Sequence, residues 1–247
     1  MKKRPEDMIA ALMLVIALIY GEAGALERLW PQHAKSPFVI EMDIPAAEDS
    51  RGGIVTADLD GDGRPDFLVT VPGHIAAYAN DGSKLWILKT PIRLSSKAEQ
   101  YGLPGHHGPG IQAADVDADG DTEVLFLTDD SVIHAVNGAT GVEEWSALPR
   151  VPDEAERWEH LVIANFRGQG DRDLLLQATN RKGYRMGRFL SAFSIQDLEI
   201  GLLEPLWERD DFLGCAHTGA RIADLDLDGR DEVLGGTIIG FRGKILY

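Results

Sequence analysis

A chain of 247 residues, 44% hydrophobic and 26% charged, has the apolar mass for a folded core, which excludes a disordered or fibrous class. Its formal net charge of −16 argues against nucleic acid and anionic membrane surfaces as partners. The single cysteine, Cys215, excludes an intrachain disulfide and reads as a small buried residue.

Residues 1–25 read as a signal peptide. Lys2, Lys3 and Arg4 precede an apolar run over residues 8–20, and Ala23-Gly24-Ala25 offers a small-x-small cleavage site. The run is short for a bilayer span, while Glu6 and Asp7 leave an uncleaved anchor as the alternative. Either way, residues 26–247 are expected outside the cytoplasm (secreted, periplasmic or at the cell surface), where free Ca²⁺ is plentiful. Residues 38–42 read as a strand.

From residue 50 onward one nine-residue stretch orders the chain. In Asp58-Leu59-Asp60-Gly61-Asp62-Gly63-Arg64-Pro65-Asp66, the carboxylates of Asp58, Asp60 and Asp62 converge if the backbone curls. Gly63 supplies the turn, Arg64 offers its carbonyl, and Asp66 closes the ring. Oxygens at this spacing suit Ca²⁺, which takes about six to eight of them; without a cation the crowded carboxylates raise one another's pKa. The stretch recurs from Asp115 and from Asp224, and in degenerate form from Asn165, where Arg167 and Gln169 hold positions three and five. That copy is expected to be metal-free, with the guanidinium standing where the ion's charge would be.

Each copy is preceded by a short apolar strand (54–57, 111–114, 161–164, 221–223) and followed by another (67–71, 124–128, 174–178, 233–237). Third and fourth strands follow in the first two repeats, with turn signals at Asn80-Asp81-Gly82 and residues 137–141. Trp86, Trp145 and, after an insertion, Trp207 fall on the outermost strand. This period predicts an all-β fold, a β-propeller of four-stranded antiparallel blades with repeats at about 50–106, 107–156, 157–214 and 215–247. The last repeat ends before its outer strand is complete, so about three and a half blades are expected, a partial or open propeller, with C-terminal truncation as the preferred explanation.

The D-x-D-x-D-G-x-x-[DE] pattern resembles the FG-GAP or VCBS repeat of integrin alpha-chain propellers and of many bacterial extracytoplasmic proteins. The resemblance covers residues 50–247 and implies Ca²⁺ between the first and second strands of a blade. It implies three ligand sets: Asp58, Asp60, Asp62 and Asp66; Asp115, Asp117, Asp119 and Glu123; Asp224, Asp226, Asp228 and Glu232. Arg64, Asp121 and Arg230 would add carbonyls. The stretch from Gly214 through His217, Arg221 and Asp224 to Glu232, with residues 243–247, is similar to rhamnogalacturonan lyases of polysaccharide lyase family eleven. That similarity implies a Ca²⁺-dependent, eight-bladed propeller that cleaves pectin by β-elimination, although the family's remaining blades and N-terminal β-sandwich are not in this sequence.

Aligning the repeats on their first ligand gives a second pattern. Arg51 and His217 stand seven residues upstream, His107 and His106 eight and nine upstream, and His160 five upstream of Asn165. Each is expected where its blade's innermost strand begins, around a channel mouth about 17–20 Å from the acidic loops. Cations and imidazoles there suit an anionic sugar, with Arg51 neutralising a uronate carboxylate and His107 or His217 removing the neighbouring proton. The plainer alternative is that each His bonds a loop carbonyl, in connections rich in glycine (Gly102, Gly105, Gly108, Gly110). Three functions stand open: a binding or adhesion module for polysaccharide or a cell-surface protein, a lyase or its inactive relative, and a structural partner in a larger surface assembly. A serine triad, a phosphate-binding glycine loop and a Cys/His zinc cluster are absent as recognisable spacings.

Overall fold

Short runs of apolar residues broken by Asp, Asn and Gly fold here into consecutive antiparallel sheets. The computed structural model describes residues 39–46, 52–94, 110–180, 186–187, 189–210, 214–215, 220–235 and 244–246. Two units divide the chain, Met1–Glu41 and Met42–Tyr247, and among the described residues every sheet lies in the second. The first sheet runs β1 (Gly53–Ala57), β2 (Asp66–Val71), β3 (His74–Tyr78) and β4 (Lys84–Lys89) in sequence order. The second repeats it with β5 (Ile111–Ala114), β6 (Glu123–Leu127), β7 (Ile133–Asn137) and β8 (Glu143–Ala147).

The third sheet starts with β9 (Ala155–Ala164) and β10 (Asp173–Asn180). A two-residue strand, β11 (Met186–Gly187), leaves it to pair with β14 (Gly214–Cys215). The sheet is completed by β12 (Leu190–Ser194) and β13 (Trp207–Arg209). The fourth has three strands, β15 (Arg221–Ala223), β16 (Glu232–Gly235) and β17 (Lys244–Leu246). All pairings are antiparallel, and the third and fourth strands of the first two blades carry a register shift at the same place, Ala77/Tyr78 and Ala135/Val136. The fold expected from the sequence is therefore the one found: an all-β chain of propeller-like blades, none closed on itself.

Blades stack through alternate residues of each strand, since successive side chains leave a strand on opposite faces. β6 is buried along its whole length because both of its faces are covered. Val124 and Phe126 join Leu68, Ile75 and Trp86 of the first blade, while Leu125 and Leu127 join Trp158, Leu161 and Leu174 of the third. Leu175 and Leu190 repeat the arrangement against Ala220 and Val233 of the fourth. Each such side chain contributes about 1.5–3 kcal/mol of burial, so the interfaces between blades are the core.

The Trp86 indole Nε1 donates to the Gly138 carbonyl at 2.6 Å, joining the first blade's outer strand to the second blade's last turn. In the third blade that turn is replaced by a short helix, α1 (Ile195–Glu199), which the sequence did not reveal. Its N-cap, Ser194, accepts from the Asp197 backbone N–H, and Ile195 and Leu198 pack in the cluster that holds Trp145.

No strand occurs in residues 39–46, contrary to the expectation for 38–42. The first blade already has four strands, and the segment's backbone bonds to a side chain instead. The Tyr78 hydroxyl donates to Asp43 Oδ1 at 2.8 Å and accepts from the Asp43 and Ile44 N–H groups at 3.1 and 3.2 Å.

Candidate functional site

The acidic stretches form the turns between the first two strands of each blade. Left-handed backbone at two points closes each loop. Position six is glycine throughout, with φ of 81° at Gly63, 98° at Gly120, 84° at Gly170 and 87° at Gly229. Position four is also left-handed, and there Ala118 (φ 62°) and Leu227 (φ 63°) stand where the other loops have Gly61 and Gly168. The sequence reading marked position six alone.

In the first loop the Gly63 N–H donates to Asp58 Oδ2 (2.9 Å), Asp62 N–H to Asp60 Oδ1 (3.1 Å) and Arg64 N–H to Asp62 Oδ1 (2.9 Å). These bonds turn the remaining oxygens of Asp58, Asp60 and Asp62 together, within 4.8 Å of one another. Asp58 Oδ1 is buried with no hydrogen-bond partner, a cost that a cation at the loop's centre removes. Asp60 has its pKa raised, first by desolvation and then, after an opposing bond from the Asp62 backbone, by the charges of Asp66, Asp62 and Asp58. An oxygen-rich, anionic set of this kind, with one carboxylate oxygen left without a partner, fits Ca²⁺.

The second and fourth loops bring together Asp115, Asp117 and Glu123, and Asp224, Asp226 and Glu232, also within 4.8 Å. Gly120 N–H donates to Asp115 Oδ2 (3.2 Å) and Gly229 N–H to Asp224 Oδ2 (3.0 Å), repeating the first loop. Position nine divides the loops into two kinds. One oxygen of Glu123 accepts from Val116 N–H (2.8 Å) and one of Glu232 from Leu225 N–H (2.7 Å), while each residue still offers an oxygen to its cluster. The shorter Asp66 has both oxygens engaged, by Leu59 and Asp60 N–H (2.9 and 3.3 Å) and by Asn80 N–H (2.8 Å). Asp66 therefore clasps the loop, and the three-residue cluster does not include it. Asp119 and Asp228 likewise lie outside their clusters, each accepting the N–H two residues on, from Asp121 (2.8 Å) and Arg230 (2.9 Å). Burial pushes Glu123 up to about 7, opposed by the Val116 bond and reinforced by Asp117, Glu144 and Asp119.

The third loop is closed by its own side chains. Asn165 Oδ1 accepts from Gln169 and Gly170 N–H (2.7 and 3.0 Å), as the first Asp does elsewhere. Arg167 places Nε 2.7 Å from Asp173 Oδ1 and Nη2 3.1 Å from Ser194 Oγ. The same loop ties its neighbours together. Arg172 donates to the Asp117 carbonyl of the second loop, while Asn165 Nδ2 donates to Gly229 O (2.9 Å) and Asn165 N–H to Asp231 Oδ2 (2.7 Å) of the fourth.

Sequence reasoning treated Asn80 only as a turn residue, yet its Nδ2 donates to Asp62 Oδ2 at 2.9 Å. Its recurrence as Asn137, at the same offset from the first Asp, was the available signal. Asn137 bonds Glu144, whose pKa is raised by burial first and then by Asp117, Asp119 and Asp121.

Of the residues proposed for the opposite strand ends, Arg51, His106, His107 and His217 lie outside the described residues, as do residues 1–25. His160 does not mark a strand entrance. β9 begins six residues earlier than the apolar pattern indicated, so His160 is buried within the sheet opposite Gln177. The charged residues at that entrance are Glu156 and Arg157, with Glu159 close behind. Arg157 Nη1 is 2.6 Å from Glu156 Oε1 and its Nε 2.9 Å from Glu159 Oε2. Arg157 stands eight residues before Asn165, the offset of His107 from Asp115, and could have been found that way.

Antiparallel blades whose first turn is an acidic nine-residue loop define a recognisable class of repeat. A family model described as an FG-GAP-like repeat matches residues 58–126. The chain is 26% identical over 251 residues to rhamnogalacturonan endolyase YesW of Bacillus subtilis (strain 168), covering 77% of this chain and 38% of that protein. The crystal structure of rhamnogalacturonan lyase YesW superposes with a TM-score of 0.55 at 20% identity, covering 80% of this chain and 43% of that one. A Bacillus licheniformis rhamnogalacturonan lyase gives 0.53 at 18% identity, with the same coverages of 80% and 43%. The chain thus spans about two-fifths of the length of these relatives. Both resemblances seen in the sequence are supported. No helix among the described residues is long and apolar enough to cross a membrane.

Proposed function

We propose that the chain is a calcium-stapled, propeller-type domain that acts on carbohydrate outside the cytoplasm, most directly as a polysaccharide-binding module. The observation that carries this reading is the similarity to a rhamnogalacturonan endolyase across most of the chain, on a shared blade architecture. Calcium is structural in this reading. The clusters of the first, second and fourth loops hold one ion each, and the third loop substitutes the Arg167–Asp173 pair. The ions sit at strand-to-strand turns and relieve carboxylate repulsion there.

A second reading, lyase activity, is favoured by that relative's function. Arg51 would then neutralise a uronate carboxylate, and His107 or His217 would take the proton as the glycosidic oxygen departs. One experiment separates the two. The protein is incubated with rhamnogalacturonan in calcium, retention is measured by affinity electrophoresis, and absorbance of the unsaturated product is followed. Retention without product is expected for the binding module. A calcium-dependent rise in absorbance that is lost in His107→Ala or His217→Ala makes the chain a lyase, and neither retention nor product sinks the carbohydrate reading.

A further inference from the structure

One cavity is not part of the acidic loops. It has a volume of about 910 Å³ and is lined by the second and third blades, running from the strand ends opposite the loops along the third blade's β12 and β13. Asp129, Asp130 and Ser131 come from the turn between β6 and β7, Pro149 and Val151 from the segment after β8, and Arg157 from the start of β9. Arg93 reaches in from the link that follows the first blade, held by its N–H to the Leu127 carbonyl at 2.7 Å.

The charges in the lining decide what can enter. Five carboxylates accompany three guanidiniums, and each guanidinium already has a carboxylate partner. Arg157 is bound to Glu156 and Glu159, and Arg150 to Asp153 at 2.8 Å. Arg93 bonds only Asp129 among the described residues, through Nη2 to the carbonyl (3.0 Å) and to Oδ1 (3.2 Å); its Nε is enclosed by protein, so only its Nη hydrogens can face a ligand. The surplus charge is therefore negative, which repels a polyanion such as a run of uronates. A simple ammonium-type cation would satisfy the carboxylates but brings no acceptor for Arg93. A ligand that both accepts and donates, and has an apolar face, meets all these conditions. Hydroxyl groups do both, and the C–H face of a sugar ring rests on apolar side chains such as Leu148, Leu203 and Phe193. The volume falls in the range of small-ligand sites, about 300–1,000 Å³.

We infer that this cavity binds a neutral oligosaccharide, with Glu204 and Glu208 accepting from ring hydroxyls and Arg93 donating. The inference names the ligand class for the carbohydrate reading and rests on it.

The test is ¹⁵N NMR titration of the calcium-loaded chain with galactotriose, xylotriose and maltotriose, set beside trigalacturonate, with rhamnogalacturonan retention measured on the same sample. Saturable shifts at Ser131, Leu148 and Val151 with at least one neutral sugar, and none with trigalacturonate, are expected. Arg93→Gln and the exposed-site Glu204→Ala should each weaken that binding about tenfold. Glu204→Ala answers the question even if Arg93→Gln fails to fold. Shifts with trigalacturonate alone, or none at the cavity while the polymer is retained, overturn the neutral-sugar site and leave the carbohydrate reading standing. Loss of polymer retention together with all shifts overturns both.

Discussion

Leu227 is 86% exposed, makes no core contact, and holds a left-handed φ of 63°. For a residue with a Cβ this costs about 1–2 kcal/mol, and glycine adopts it freely at an entropic cost of about 0.5–1 kcal/mol. Leu227→Gly is therefore expected to stabilise the chain by up to about 1 kcal/mol in urea unfolding, and a loss of stability would mean that loop closure does not strain this position. Glu123 makes a prediction of pH dependence. Its carboxyl titrates near 7 in the folded chain and near 4.5 when unfolded. The folded state thus holds a proton that the unfolded state has released, and this stabilisation is present at low pH and lost as pH rises through about 7. In chelator, the melting temperature relative to Glu123→Gln should fall between pH 5 and 8. In calcium the sign reverses, because a proton competes with the ion, and identical slopes in both buffers would exclude Glu123 as a ligand.

At the level of strands and turns, the close approach of blades rests on two glycines. A Cβ on Gly138 would meet the Leu59 carbonyl oxygen of the first blade at 3.0 Å, and one on Gly141 (φ 68°) would meet the Trp86 ring at 2.7 Å. Gly141→Ala combines left-handed strain with overpacking and should cost about 2–4 kcal/mol. Gly120→Ala, also left-handed but with open space around it, should cost about half as much. Equal losses in denaturant titrations would remove the packing argument. Strand order and turn positions were legible because each blade is local, with Asp and Gly at fixed offsets between apolar runs. What escaped was set by contacts across blades. β9 extends back to Ala155 because Trp158 packs in the core shared with the second blade and β10 continues to Asn180 beside it. The helix at Ile195–Glu199 fills the place of a tight turn over Trp145. The converging carboxylates were readable from spacing alone. Asp66 was read as a ligand from its spacing, and the folded loop adds what spacing does not show, that both of its oxygens accept backbone N–H groups.

For the molecule as a whole, ions that bind only the folded state add stability by mass action, about 2.7 kcal/mol for each site at a free concentration 100 times its dissociation constant. Chelation should lower the melting temperature, and Asp60→Ala should reduce calcium stoichiometry from three to two; an unchanged melting curve in excess chelator counts against the structural ions. The third loop gives this array a further property. It holds the second loop through Arg172 and the fourth through Asn165, so whatever stiffens one neighbour is felt at the other. In a stack where each unit touches only the next, such a strut passes order along the row. If calcium fills the sites at Asp115 and Asp224, their occupancies would be thermodynamically linked through this strut, and linkage is reciprocal. Emptying the fourth site with Asp224→Ala should weaken calcium at the second, and the same change made in an Asn165→Ala background should not, a cycle that calorimetry can close. The loop proposed to hold no ion would then be the one through which the other sites communicate.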